Sequence, residues 1–505
     1  MFQFGRLIVS CLVISLLSAC IYKSSAQPKQ LVVASEVDTL INSFLTQTGL
    51  SVGVGVAIYT PDGVYVQGFG QANVRGEAVK PDTAFYIASS TKSVVALSMN
   101  SLHQQGKINL DSSLAIFAPQ VPWPAAIKPE QVTLRSLLAH TSGIKNDAIA
   151  IRSAYTGDST PEMLWQLLQI SSANTSAPLG TFKYTNTGYN ILTTLTDKQL
   201  ATPWQQLIMA EIIRPAGMTH TTAYVSEAVA VGWSIASPFL LAPDGQSVQA
   251  LALDKQDATM HSAGGMLMSP ADALLWLELM IRDGRVGNKQ ILPAAVVRQT
   301  RLPLASVNQA FGDYQRQDYG LGWYIARYSG QPMLQHFGSF SGFRSHVSYL
   351  PERELGVAVF TNEALVGSFL PDAIANFVYD KLAGSTFSAT ERATQLAQQF
   401  QKLAAGYVKS QQAMAERKWA LTLPVEHYVG RYVNPQLGTL FIDVDGNVLT
   451  ARIGLLQGVA TAYPQADTIR LALIPPGGEL VTFELENRAV IRATLFDMQF
   501  EKQQN

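Results

Sequence analysis

Ser89 and Lys92 stand three residues apart in the stretch "IASSTKSVVALSMNSL". In a helix that spacing puts both on one face, and Val95, Ala96, Met99 and Leu102 continue the same stripe. Long helical side chains point back toward the helix N-terminus, so Lys92 would reach over the turn that holds Ser89. A serine hydroxyl is a weak nucleophile at neutral pH and needs an adjacent base. A lysine drawn out of water is such a base, because desolvation favours its neutral form. A helix that starts near Ser89 also aims free N–H groups and the positive end of its dipole at charge developing there. The pair therefore points to covalent acyl chemistry on Ser89. The competing reading is a lysine whose stem packs while its amine reaches water, and one tetrad does not decide between them.

Ser142-Gly143-Ile144-Lys145 repeats the spacing. It follows His140-Thr141, contains Gly143 and precedes Asn146-Asp147, which is the composition of a turn. A turn does not place serine and lysine on one face, so this second match is set aside.

Two further stretches follow Ser89 and Lys92 in order: "FKYTNTGYNIL", with Tyr184 and Asn186, and "HFGSFSGF", with His336 and Gly338. Together these resemble the Ser-x-x-Lys, Tyr-x-Asn and Lys-Thr-Gly motifs of the penicillin-recognising serine hydrolases, with His-x-Gly as the third. "LLAHTSGI", "IIRPAGMTHT", "SAGGMLMSPADALLW", "YGLGW" and "YLPERELGVAVFTN" agree. The resemblance covers about residues 35–385 and is closest to class C β-lactamases and the related carboxypeptidases and esterases. It implies an acyl-enzyme on Ser89, with general-base work shared by Lys92 and Tyr184. A tyrosine beside a cationic lysine is expected to have a depressed pKa and to act as phenolate. The resemblance further implies substrate binding by Asn186, His336 and Gly338, and an oxyanion hole from the backbone N–H groups of Ser89 and Ser339. It implies no metal and no cofactor. Tyr432-Val433-Asn434 is a second Tyr-x-Asn, but no nucleophile motif lies near it.

The third motif departs from the β-lactamase pattern. No Lys-x-Gly occurs in the chain, and in β-lactamases that lysine is a permanent cation near the substrate carboxylate. A histidine of ordinary pKa is mostly neutral at pH 7. His336 is therefore expected to change charge between about pH 5 and 8 and to read a substrate carboxylate only when protonated. The expected activity is hydrolysis of a peptide, amide or ester, of the D,D-carboxypeptidase, D-aminopeptidase or esterase type. The alternatives are a class C-type β-lactamase, a non-hydrolytic envelope protein that binds peptidoglycan or β-lactams, and an assembly factor that works through its C-terminal part.

The elements that must position these residues are legible in outline. "VASEVDTLINSFLTQ" predicts an amphipathic helix. "SVGVGVAIYTPDGVYVQGFGQANV" predicts two strands joined at Pro-Asp-Gly. Residues from about 105 to 310 read as helices and loops. "YGLGWYIARY", "MLQHFGSFSGFRSHVSYLP" and "LGVAVFTN" read as strands, and an apolar helix follows near 366–383. Strands at both ends with helices between them predict one α/β (α+β) unit, an antiparallel sheet flanked by helices with a mainly helical insertion. The catalytic domain is placed at 35–385 and a helical connector at 386–420, opened by the capping-box pair Ser388 and Glu391. From 421 to 505 short alternating strands predict a small all-β barrel or sandwich. "VEHYVGRYV" onward resembles a lipocalin-like accessory domain.

The chain has 505 residues, nearly half of them apolar, and a formal net charge of −1. No Lys/Arg run stands out, which argues against nucleic acid as a partner. Arg6 precedes "LIVSCLVISLLSA", which is too short to span a bilayer comfortably. Leu17-Ser18-Ala19-Cys20 resembles a bacterial lipobox and predicts a signal peptide at 1–19, a lipidated Cys20 and a linker at 20–34. That places the protein on the periplasmic side of the cell envelope. Ile rather than Asp at position 21 favours the outer membrane, and the alternative is a soluble exported protein cleaved after Ser24-Ser25-Ala26. The only cysteines are Cys11 and Cys20, so the mature fold is expected to hold no disulfide and no thiolate site. The expected partners are a small-molecule or peptide substrate and, through Cys20, a membrane; oligomeric state is left open.

Overall fold

A computed structural model describes residues 31–504 except 32, 254 and 447. The leader and Cys20 lie outside the described residues. Helix α1 (Ala34–Thr48) buries Val37, Leu40, Ile41 and Phe44, the i, i+3, i+4, i+7 stripe of an amphipathic helix. It stops at Gly49, which takes the left-handed conformation at φ 67°. Strands β1 (Gly53–Thr60) and β2 (Gly63–Gly70) form the expected hairpin, with Thr60 opposite Gly63. A short 3-10 turn, Ala88–Ser90, then leads into α2 (Thr91–Gln104), whose first twelve residues are all buried.

The insertion is mainly helical, as its texture suggests. Within it, α3 (Thr187–Leu200) follows directly on Asn186, and α4 (Pro270–Ile281) is capped by the Ser269 side chain. The chain then returns to the sheet through β3 (Ala305–Phe311), β4 (Tyr314–Tyr319), β5 (Tyr324–Tyr328), β6 (Gln331–Phe340), β7 (Phe343–Leu350) and β8 (Leu355–Thr361). Sheet order is β3-β4-β5-β6-β7-β8-β1-β2, antiparallel throughout, with β8 beside β1 so that Val54 faces Thr361. Both ends of the α/β unit therefore build one sheet, as expected from the sequence. The sequence reading assigns no strand between 305 and 318, whereas the structure places β3 and β4 there. Their residues, ASVNQAF and YQRQDY, are too polar to show an apolar alternation.

Helix α5 (Leu370–Leu382) and the long α6 (Ala389–Ala415) share one apolar cluster with α1 on one side of this sheet. The capping box of Ser388 and Glu391 forms at the start of α6. The other side packs on α2 and α4. Among the described residues, no helix is long and apolar enough to cross a membrane.

The C-terminal β region closes on itself. Its eight strands are β9 (Gly430–Asn434), β10 (Gly438–Asp445), β11 (Val448–Ile453), β12 (Leu456–Ala462), β13 (Thr468–Leu471), β14 (Glu479–Glu486), β15 (Ala489–Leu495) and β16 (Met498–Lys502). Pairing of β9 with β16, Tyr432 opposite Lys502, makes it a barrel and leaves no edge strand. Tyr432 points into the barrel core and donates its hydroxyl to Tyr428 O at 2.7 Å, so the second Tyr-x-Asn is structural. The barrel rests on the insertion and on the end of β6. Arg152 donates to Leu437 O at 2.8 Å, Leu455 N–H donates to Thr156 O at 2.8 Å, and the Ser341 hydroxyl donates to Pro475 O.

Candidate active site

The turn that carries Ser89 is held in an unusual backbone conformation. Ala88 has φ 45°, which costs a residue with a Cβ on the order of 1 kcal/mol and survives only when its surroundings fix it. Three contacts fix it here. Ile87 N–H donates to Met266 O at 3.0 Å, and the Ser345 hydroxyl of β7 donates to Ile87 O at 2.7 Å. Ser90 Oγ lies 2.8 Å from Ser345 Oγ. Gly338 lets β6 pass against the same turn, since a Cβ there would come within 2.0 Å of Ile87 O. Ser89 itself stays partly exposed, while Ala88 and Ser90 on either side are buried.

Lys92 is completely buried at the start of α2. Its Nζ lies 3.2 Å from Ser89 Oγ, 2.8 Å from Asn186 Oδ1 and 2.7 Å from Ala263 O. It also sits over the rings of Tyr184 and Tyr189, 4.8 and 5.6 Å from their centroids. Among the described residues no carboxylate pairs with it, and burial holds its pKa well below the ordinary lysine value. Protonated, Nζ donates to all three acceptors; neutral, it keeps the two carbonyl oxygens and turns its lone pair to the serine hydroxyl. An ammonium has three donors and no lone pair to offer it.

Tyr184 corrects one expectation. Burial, the largest influence, pushes its phenol well above the ordinary tyrosine range, and the Tyr324 and Tyr189 hydroxyls push the same way. A hydrogen bond from Ser89 and the charge of Arg316 oppose this without reversing it. Burial thus works against the phenolate expected from a neighbouring lysine cation, and the same burial lowers the pKa of Lys92.

His336 corrects a second. It is 1% exposed, and both ring nitrogens are engaged within the fold. Nδ1 lies 2.9 Å from Phe337 O and so carries the proton, which leaves Nε2 to accept from the Tyr319 hydroxyl at 3.3 Å. Burial first, and then the charge of Lys92, hold its pKa well below the usual histidine value. Its change of charge is therefore pushed to the acid side of the expected window, and near neutral pH His336 is an uncharged wall of the site. Its ring centroid lies 6.1 Å from that of Tyr184.

The structure thus brings Ser89, Lys92, Tyr184 and Asn186 together, with His336 and Gly338 on the adjacent strand. Ser339 is exposed next to Gly338 and pairs with Arg344 across β6 and β7. Ser142 lies in a turn and Lys145 in a two-residue strand, so that pair shares no helix face. Three participants were not singled out from the sequence. Ala263 supplies only a carbonyl oxygen, a role any residue type can fill. His140 packs its ring 4.6 Å from that of Tyr184, and its Nε2 is buried without a partner. Tyr324 stacks on Tyr184 at 6.1 Å with 22° between the rings. The first two lie within "SAGGM" and "LLAHTSGI", stretches that carried the resemblance but no assigned role. Among the described residues, no group of three His, Cys, Asp or Glu side chains is placed to hold a metal ion.

Known proteins resemble this chain in sequence and in fold. A family model described as Beta-lactamase matches residues 37–378. The putative penicillin-binding protein PbpX of Bacillus subtilis (strain 168) is 23% identical over 328 residues, which are 64% of this chain and 74% of that protein. Protein flp of Staphylococcus aureus (strain MW2) is 24% identical over 338 residues, 65% of this chain, and this chain spans only 62% of it. Two solved structures share the fold. The octameric penicillin-binding protein homologue from Pyrococcus abyssi has a TM-score of 0.58 at 21% identity, covering 93% of this chain and 99% of that one. The D-amino acid amidase from Ochrobactrum anthropi SV3, complexed with L-phenylalanine, has a TM-score of 0.57 at 19% identity, covering 70% and 99%.

Proposed function

The chain belongs to the Beta-lactamase family and is a serine hydrolase, and we propose that it cleaves an amide, peptide or ester through an acyl-enzyme on Ser89 with Lys92 as the base. The observation that carries this reading is the contact set of Lys92 Nζ, two carbonyl acceptors and one serine hydroxyl around a buried amine. Ser89 Oγ attacks the carbonyl carbon while its proton passes to the Lys92 lone pair. The oxyanion formed is met by the backbone N–H groups of Ser89 and Ser339. Tyr184, protonated at rest, gives its proton to the leaving atom and is replenished from the Lys92 ammonium. The bond to the leaving group breaks, and water then attacks the acyl carbon and releases Ser89. Asn186 holds Lys92 Nζ in line. Gly338 gives the acyl group room beside β6.

The β-lactamase reading is weaker, because position 336 carries a neutral histidine where that chemistry uses a fixed cation. Incubation with a fluorophosphonate followed by peptide mapping tests the assignment. The adduct is expected on Ser89 and is expected to vanish in Ser89→Ala. A label on Ser142, or none on the folded protein, would sink it.

Leu17-Ser18-Ala19-Cys20 supports a further part of this reading, anchoring of the protein to the cell envelope through lipid on Cys20. The full-length protein made in a bacterial host is expected to partition into detergent, and Cys20→Ala to remain in the aqueous phase. A wild-type protein that begins at Gln27 and stays aqueous contradicts the anchor.

A further inference from the structure

Helix α3 carries a polar stripe that its packing only partly uses. From Asn186 at its start, Asn190, Thr193 and Asp197 follow at i+4, i+7 and i+11. Asn186 serves Lys92. Asn190 Oδ1 lies 3.2 Å from His261 Nδ1, and the Thr193 hydroxyl lies 2.7 Å from that of Ser262. Beyond these bonds the stripe faces a cavity of about 730 Å³, walled also by the short helix Pro161–Leu167 and by residues 201–205 and 257–262. Ser89, Lys92, Tyr184 and Asn186 do not line it. One wall, residues 260–262, belongs to the segment whose Ala263 O accepts from Lys92.

Three polar atoms of residues on this cavity are buried without a partner among the described residues: Asn190 Nδ2, Asp197 Oδ1 and Gln205 Oε1. Asn190 is 3% exposed. A buried polar atom costs free energy unless something bonds to it, so three around one cavity point to an occupant. The two acceptors belong to one end, where the Trp204 N–H supports the charge of Asp197. Both call for a donor. The Asn190 amide stands two helical turns away, about 10 Å along the axis, and calls for an acceptor.

The charges around the cavity say which donor. Glu162, Asp197 and Asp257 line it against one lysine, Lys198. Lys198 Nζ lies 4.1 Å over the Trp165 ring, and Asp257 is held by the Ser226 N–H at 2.9 Å. Burial raises the Tyr224 phenol and lowers His261, so both are neutral near pH 7. Burial also pushes the Asp197 carboxyl up to about 8, and a cation beside it favours its ionised form again. We propose that this cavity binds a small organic ammonium whose chain carries a carbonyl group at its far end. Asp197 and Gln205 accept from the ammonium, the rings of Trp204 and Tyr224 wall the chain, and Asn190 Nδ2 donates to the carbonyl. The site is separate from the reacting centre and does not depend on the acyl-enzyme reading of Ser89.

Calorimetric titration of the full chain with 5-aminopentanamide, pentanamide and pentylamine tests it. Ser89→Ala, which cannot turn an amide over, is titrated beside the wild type and is expected to bind alike. 5-Aminopentanamide should bind about ten- to a hundredfold more tightly than pentanamide, which lacks the ammonium, and about three- to tenfold more tightly than pentylamine, which lacks the carbonyl. Asp197→Asn keeps the shape of the side chain and is expected to erase the preference for the amine, and Gln205→Met to reduce it by a smaller factor. Affinity for the amine should rise from pH 6 to about 8 as Asp197 ionises, and Asp197→Asn should lose that rise. No binding of 5-aminopentanamide at millimolar concentration, or equal binding of it and pentanamide, overturns the proposal. So does a preference for the amine, or a rise with pH, that survives in Asp197→Asn. Binding that disappears in Ser89→Ala would place the amine in the catalytic cleft and overturns the separate site as well.

Discussion

Lys92→Met is expected to slow acylation of Ser89 by about 10²- to 10⁴-fold, the range contributed by a general base, while making the folded protein more stable. The two effects share a cause. Methionine fills nearly the same volume in a fully buried position but brings no charge that must be stripped of water. The pH dependence distinguishes this from ordinary repacking. Burial holds the Lys92 pKa well below its unfolded value of about 10.4. Between those two values the unfolded chain binds a proton that the folded chain does not. Stability of the wild type therefore rises with pH across that window and is lowest below the folded-state pKa. Methionine has no such dependence. The advantage of Lys92→Met should be greatest at the acid end of the window and shrink as pH approaches about 10.4. Urea midpoints of both proteins at several pH values measure it. Parallel curves for the two would mean that Lys92 keeps an ordinary pKa in the fold, and its role as base would be abandoned.

Tyr184→Phe should separate substrates by their leaving groups. Removing the phenol leaves the ring stack with Tyr324 and the cation–π contact with Lys92 in place, so the pocket keeps its shape. What is lost is the proton for the leaving atom. An amide nitrogen cannot depart without one, and its hydrolysis is expected to fall by about 10²- to 10⁴-fold. A p-nitrophenolate leaves unprotonated, so acylation by the matching aryl ester should fall by a much smaller factor. Rapid-mixing measurement of the acylation burst with an anilide and an aryl ester of one acyl group reads both. Equal losses would place Tyr184 at the attack step, as a partner of Lys92 in deprotonating Ser89. Because its pKa lies well above the ordinary tyrosine range, no acidic limb of the wild-type pH profile should belong to Tyr184.

A lysine at 336 would stand fully buried between Tyr184 and Tyr319, close to a second lysine at 92. Histidine fills that volume without charge and accepts the Tyr319 hydroxyl.

What the sequence by itself determined is the part of this protein set by local spacing and period. The i, i+3 relation of Ser89 and Lys92 needs only a helix, and the stripe Val95, Ala96, Met99, Leu102 dictates one. The Val/Ile alternation around Pro61-Asp62-Gly63 dictates the β1–β2 hairpin, and Ser388 with Glu391 marks the start of α6. The ordered motifs fixed the family resemblance and named Tyr184, Asn186, His336 and Gly338 before any of them could be placed in space. Protonation was left to the tertiary structure, because a pKa depends on how much water is excluded and on which charges face the group. Tyr184 and Lys92 are 92 residues apart in the chain, and only their common burial shows that the phenol is pushed up and the amine pushed down. Strand β4 was hidden for a related reason. Its YQRQDY carries no apolar alternation, since it gains its order from pairing with β3 and β5 and from the rings that stack on Arg316.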